Sequence, residues 1–130
     1  LEITERASIH NLHDVRRRVS DLRACGYRIA VDDLGAGYAG LTAFATLEPE
    51  VVKLDMSLVR DVDTSTTKQK VIRSMTGLCK ELGMTIVAEG VETQAELRTL
   101  LDIGCDLYQG YLLARPGPAF PVASWHAARC

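Results

Sequence analysis

Apolar and polar residues alternate from Leu1 to Thr4, the period of a short strand. Leu12, Val15, Val19 and Leu22 then recur at steps of three and four, which predicts an amphipathic helix stopped by Gly26. Arg16, Arg17 and Arg18 fall on what this period makes its solvated face. The apolar run from Tyr27 predicts a second strand ending at Asp32, and Gly40 to Leu47 reads as a short helical stretch ended by Pro49. Val51 to Asp55 predicts a third strand whose only cation, Lys53, sits inside an apolar run. A polar, turn-rich stretch from Asp61 to Thr67 leads to Val71, Ile72, Met75, Leu78, Cys79 and Leu82, a longer amphipathic helix that Gly83 ends. Met84 to Ala88 predicts a fourth strand, running into Glu89 and Gly90. Thr93 and Glu96 have capping-box spacing and open a helix through Leu97, Leu100 and Leu101 that Gly104 closes. Leu107 to Leu113 predicts the last strand, and Arg115-Pro116-Gly117-Pro118 breaks regular structure ahead of a tail holding Trp125.

Strand and helix thus alternate about five times, with apolar strands, which predicts an α/β fold with a mostly parallel sheet covered by helices. The polar exceptions gather near the C-terminal ends of the predicted strands: Glu2, Asp32, Asp33, Lys53, Glu89 and Gln109. Those ends form the active face of parallel α/β proteins, in barrels and open sheets alike. Leu1 already reads as strand, so the pattern predicts a chain that begins inside a larger fold.

Composition changes this picture little. At 130 residues, 47% hydrophobic and 25% charged, the chain has the size and balance of one globular domain. Its net charge of −2 offers no electrostatic footprint for DNA, RNA or an anionic membrane. There is no signal-peptide or membrane-span pattern, and Cys25, Cys79, Cys105 and Cys130 show no C-x-x-C spacing. Reduced thiols and a cytoplasmic location are the expectation, and a zinc site is not.

Glu2, Asp32, Asp33 and Glu89 offer oxygen ligands only, a donor set that suits Mg²⁺ or Mn²⁺. Two adjacent aspartates repel unless a positive group lies between them. Two divalent ions about 3.5–4 Å apart would suit in-line attack on a phosphodiester. Lys53 could position or deprotonate the attacking water, or stabilise charge on the phosphorane. It could equally be a structural partner of Asp32 or Asp55. Gln109 reads as a ligand-facing amide or a core hydrogen-bonding group.

Glu2-Ile3-Thr4-Glu5, Asp32-Asp33-Leu34-Gly35-Ala36-Gly37-Tyr38, Lys53-Leu54-Asp55, Ala88-Glu89-Gly90-Val91-Glu92 and Gln109-Gly110-Tyr111 resemble, in order, successive motifs of the EAL domain. That family comprises bacterial phosphodiesterases that linearise cyclic di-GMP to pGpG. The resemblance implies a TIM-type barrel with one irregular strand direction, of which residues 1–118 would be the C-terminal half and 119–130 a tail. It implies Glu2, Asp32 and Asp33 as metal ligands, Glu89 as a ligand directly or through water, and two Mg²⁺ or Mn²⁺ ions in the intact domain. Lys53, with Glu89, would carry the catalysis. Glu5 and Glu92 would hold the Asp32–Tyr38 loop, and Gln109, Asp55 and Arg115 would contact substrate or water. Cyclic di-GMP is the implied ligand and a homodimer the implied assembly, with regulatory or diguanylate-cyclase-like domains as candidate upstream neighbours.

The chain departs from the family pattern in three ways. Leu34 and Ala36 stand where the loop usually has Phe and Thr, so a loop hydroxyl is lost. The Glu-Ala-Leu motif is absent, as is the Asn ligand expected on the following strand. A whole barrel takes about 250 residues. The expectation is therefore a phosphodiesterase fragment that is inactive alone; the alternative is a non-catalytic module that binds cyclic di-GMP or another protein.

Overall fold

The computed structural model describes residues 1–4, 12–34 and 44–117. Five strands, β1 (Glu2–Thr4), β2 (Ala30–Leu34), β3 (Val51–Leu54), β4 (Thr85–Ala88) and β5 (Leu107–Tyr108), form one sheet in the order β1-β2-β3-β4-β5. Every neighbouring pair is parallel. The helices between them are α1 (Leu12–Ala24), α2 (Met56–Val59), α3 (Thr66–Glu81) and α4 (Gln94–Ile103), and residues 44–47 are also helical.

Strand order separates the two architectures that the sequence pattern leaves open. Crossovers between parallel strands are right-handed, so a strand order that never reverses puts every crossover on one face. An open doubly wound sheet reverses its order and covers both faces. This sheet does not reverse, and it forms an arc of a barrel.

The two faces of that arc differ accordingly. Val31, Val52, Leu54, Ile86 and Ala88 are fully buried on the helix-covered side. Each fully buried aliphatic side chain contributes roughly 1.5–3 kcal/mol. Val19, Ile29, Val31 and Leu47 form one cluster with α1, while Ile72, Cys79, Leu97, Leu100 and Ile103 bring α3 and α4 onto β3 and β4. On the other face Val51, Thr85 and Val87 are half-buried and Leu107 is exposed. Among the described residues no helix is long and apolar enough to cross a membrane.

Helix ends follow the sequence. Gly26, Gly83 and Gly104 have φ of 85°, 70° and 91°, conformations in which a Cβ is costly, and each stops a helix. The Thr93–Glu96 capping box is formed. Arg16, Arg17 and Arg18 are exposed.

Some boundaries differ from expectation. The second strand starts at Ala30 rather than Tyr27 and runs through both aspartates to Leu34, because Ile3 and Thr4 pair with Val31 and Asp32. The last strand covers only Leu107–Tyr108. Beyond it, Leu113 N and Ala114 N donate to Gly110 O, so the backbone coils into a turn. The short helix α2 has too few residues to show a period; Asp55 caps it by accepting from Ser57 N at 2.9 Å. The predicted boundary at 118 lies at the edge of a stretch outside the described residues.

Candidate active site

In regular β structure, consecutive side chains point to opposite faces. Asp32 and Asp33 would then diverge. They do not, because β2 carries a bulge. Val31 pairs with Val52 and Leu34 with Leu54, so Asp32 and Asp33 together stand opposite the single residue Lys53. Asp33 absorbs the extra residue in a left-handed conformation, φ 58°, one that Asp tolerates better than most residues. Asp32 Oδ1 accepts from Asp33 N at 3.0 Å and stabilises the kink. As a result carboxylate oxygens of Asp32, Asp33 and Glu89 all lie within 4.8 Å of one another.

Lys53 reaches into this cluster from β3. Its Nζ lies 2.9 Å from Glu89 Oε1, 3.1 Å from Asp32 Oδ1 and 3.1 Å from Glu2 Oε1. Burial alone would lower the ammonium's pKa, but hydrogen bonds to Glu89, Glu2 and Asp32 outweigh it and hold the value above that of an ordinary lysine. Glu89 shifts the other way from most paired carboxylates. Burial raises its pKa, Lys53 offsets part of the rise, and the neighbouring Asp32 adds to it. Three carboxylates thus share one ammonium, and a fourth, Asp33, lies within 4.8 Å of two of them.

That crowding tests the site for a metal. An all-oxygen donor set with excess negative charge, drawn from β2 and from the end of β4 on either side of β3, and half-buried, suits a hard divalent cation. The residues fit. Three of the four predicted ligands converge, while Glu2, its side chain 58% exposed, reaches the group through Lys53.

The other predicted residues divide. Gln109 is brought to the same concave face as Glu2, Lys53 and Val87. Its backbone ties β5 to β4, with Gln109 N donating to Ala88 O and Val91 N to Gln109 O. Asp55 does not pair with Lys53; its carboxylate caps α2. Glu92 pairs with Arg60 at 3.0 Å. Arg115 lies over the Tyr111 ring, 5.0 Å from its centroid. Glu5 and the loop segment Gly35–Tyr38 lie outside the described residues. Sequence reasoning missed Arg60, took Gly90 only as part of a motif after the fourth strand, and took Glu96 only as a cap. Nothing in the local pattern announces that Arg60 meets Glu92 across 32 positions.

A segment of a parallel β/α barrel with carboxylates and a lysine at its strand ends belongs to the class of barrel proteins that work at the C-terminal face. The sequence matches the EAL domain over residues 1–116. A protein of Escherichia coli (strain K12) described as a probable cyclic di-GMP phosphodiesterase, PdeA, is 38% identical over 118 residues, 91% of this chain and 16% of that protein. The manganese/cyclic-di-GMP complex of Klebsiella pneumoniae BlrP1 has a TM-score of 0.83 at 43% identity, covering 88% of this chain and 29% of BlrP1. A standalone EAL protein from Vibrio cholerae O395, in its c-di-GMP-bound form, has a TM-score of 0.84 at 34% identity, covering 89% of this chain and 49% of its own. The chain belongs to the EAL domain family, and spans about 15–21% of the length of curated relatives it matches.

Proposed function

We propose that this chain is the C-terminal half of a domain that hydrolyses cyclic di-GMP to linear pGpG. The observation carrying the reading is the convergence of Asp32, Asp33 and Glu89 within 4.8 Å beside the ammonium of Lys53. Asp32, Asp33 and Glu89, with Glu2, hold Mg²⁺ or Mn²⁺, two ions in the intact domain. Bound there, the ions supply Lewis acidity toward the phosphodiester and its attacking water. Lys53 donates N–H bonds that orient the water or a phosphoryl oxygen and offset charge developing on phosphorus. One phosphodiester P–O bond breaks, water supplies the new P–O bond, and the ring opens to a linear dinucleotide with a terminal phosphate. Gln109 borders the site, and Asp55 and Arg115 serve substrate or water at its rim. Glu5 and Glu92 support the loop that begins at Asp32. In the intact protein the domain pairs with a second copy and receives signals from regulatory domains.

The test is Asp32→Asn in the full-length protein, assayed for cyclic di-GMP cleavage with Mn²⁺ or Mg²⁺. Turnover falls by about two orders of magnitude or more while the fold is kept, since a ligand matters to chemistry more than to packing. Near-normal turnover would remove the metal assignment. Lys53→Ala lowers turnover more than substrate affinity. Unchanged turnover with lost thermal stability would make Lys53 an ion-pair partner only.

Residues 1–130 expressed alone are proposed to be inactive and self-associating. β1 and β5 are unpaired edges of the described sheet, and Leu1 and Leu107 are exposed beside them. A soluble monomer that cleaves cyclic di-GMP as fast as the full-length protein would overturn this.

A further inference from the structure

Glu96 is 3% exposed, and no ion pair among the described residues includes it. Backbone N–H groups meet its charge instead. Oε2 accepts from Glu92 and Thr93, each at 3.0 Å, and Oε1 accepts from Asp61 at 2.9 Å. The two oxygens therefore do different things. Oε2 completes the capping box of α4, a task that glutamine performs equally well at this position. Oε1 crosses to a residue 35 positions away, in the turn after α2. A glutamine could not do both, because its amide nitrogen would face the Asp61 N–H donor to donor.

The crossing bond joins the segment after β3 to the segment after β4. Lys53 lies on β3 and Glu89 directly after β4, with 2.9 Å between Nζ and Oε1. Two more contacts run along the same seam. Arg60 pairs with Glu92 on the solvent side. Gly90 packs so closely that a Cβ there would lie 2.5 Å from Met56 Cβ. Asp61 itself is held at φ 56°, a conformation that a non-glycine residue keeps only when its surroundings enforce it.

We propose that Glu96 is a positioning residue: its second carboxylate oxygen locks the segments after β3 and β4 together, so that Glu89 stays in register with Lys53 and the Asp32–Asp33 pair. The proposal rests on the reading of Asp32, Asp33 and Glu89 as the metal-holding group.

The experiment compares the full-length protein with its Glu96→Gln and Thr93→Ala variants. Mn²⁺ affinity is read from the EPR signal of free Mn²⁺, backbone exposure from hydrogen–deuterium exchange, and stability from thermal melting. Glu96→Gln keeps the cap and releases Asp61. The expected result is faster exchange around Asp61 and Glu89, unchanged exchange around Thr93, and Mn²⁺ affinity lower by about tenfold, the low end of what losing an outer partner costs. Thr93→Ala removes the hydroxyl that accepts from Glu96 N at 3.2 Å, so it weakens α4 without touching the Asp61 bond. It should lower the melting temperature yet leave Mn²⁺ affinity unchanged. Three results would overturn the proposal: Glu96→Gln with faster Asp61 exchange but unaltered Mn²⁺ affinity, Glu96→Gln with no change at Asp61, or Thr93→Ala losing Mn²⁺ in proportion to its stability. If the unaltered protein binds no Mn²⁺, the metal reading fails by itself, and exchange at Glu89, whose N–H donates to Leu54 O, still decides the tie.

Discussion

Glu89 and Glu96 sit seven positions apart at the same end of the sheet, and Glu96 is the more buried. Burial raises the pKa of both, yet the net shifts run in opposite directions. Around Glu96, hydrogen bonds from the Glu92, Asp61 and Thr93 backbone outweigh burial and bring the pKa below that of an ordinary glutamate. Around Glu89, burial together with the neighbouring Asp32 carboxylate outweighs Lys53, and the pKa ends up raised. The difference separates a carboxylate whose negative charge the protein has satisfied from one whose charge it has left in excess. A group of the second kind costs stability unless a further cation arrives, which is what marks a site rather than a brace.

The largest way to break the comparison is to delete each carboxylate. Glu96→Ala orphans three backbone N–H groups and should cost about 2–4 kcal/mol by chemical denaturation. Glu89→Gln removes charge from a crowded cluster. It should leave stability near or above that of the unaltered protein without metal, while Mn²⁺ binding collapses. Equal losses in the two variants would erase the distinction.

Gly90 comes next, because it joins the two environments. Ala there must adopt φ 71° and meets Met56, so a loss of about 1–3 kcal/mol is expected. Glu89 should shift with it, and Mn²⁺ affinity should fall together with stability.

A smaller effect of opposite sign is expected at Asp33. Glycine removes the cost of a left-handed residue, about 1 kcal/mol, so Asp33→Gly should melt higher while binding Mn²⁺ more weakly. A variant that melts lower would show that the Asp33 side chain, not the bulge, dominates there.

The mildest probe is pH. A carboxylate whose folded pKa is depressed contributes stability above its unfolded pKa and loses it as pH falls through the folded value. For Glu96 the unfolded reference is 4.5, so its contribution is full at neutral pH and declines below about 4.5. Glu96→Gln should therefore flatten the acid limb of the stability curve. In Glu89, where the folded pKa is raised, the sign reverses: its contribution belongs to the acid side and fades as pH rises. Glu89→Gln should steepen the same limb. Parallel changes in both variants would contradict the assigned directions.

The alternation of apolar strands with 3.6-period helices was enough to predict a parallel α/β sheet with its chemistry at the strand ends. Gly26, Gly83 and Gly104 marked helix ends correctly, because a left-handed cap is a local demand that glycine meets. Asp32, Asp33, Lys53 and Glu89 were legible for a related reason: charged residues interrupt strands whose other residues the core requires to be apolar. What tertiary structure alone decided was how those residues meet. The period of a strand sends Asp32 and Asp33 to opposite faces, and only the shifted pairing with β3 turns both toward Lys53. Strand order, not strand content, made the sheet an arc of a barrel, since handedness acts on neighbours in space. Glu96 is the clearest case. Thr93 and Glu96 announce a helix cap by their spacing, but the bond from the second oxygen to Asp61 spans 35 positions, and no local period records a contact that folding alone brings together.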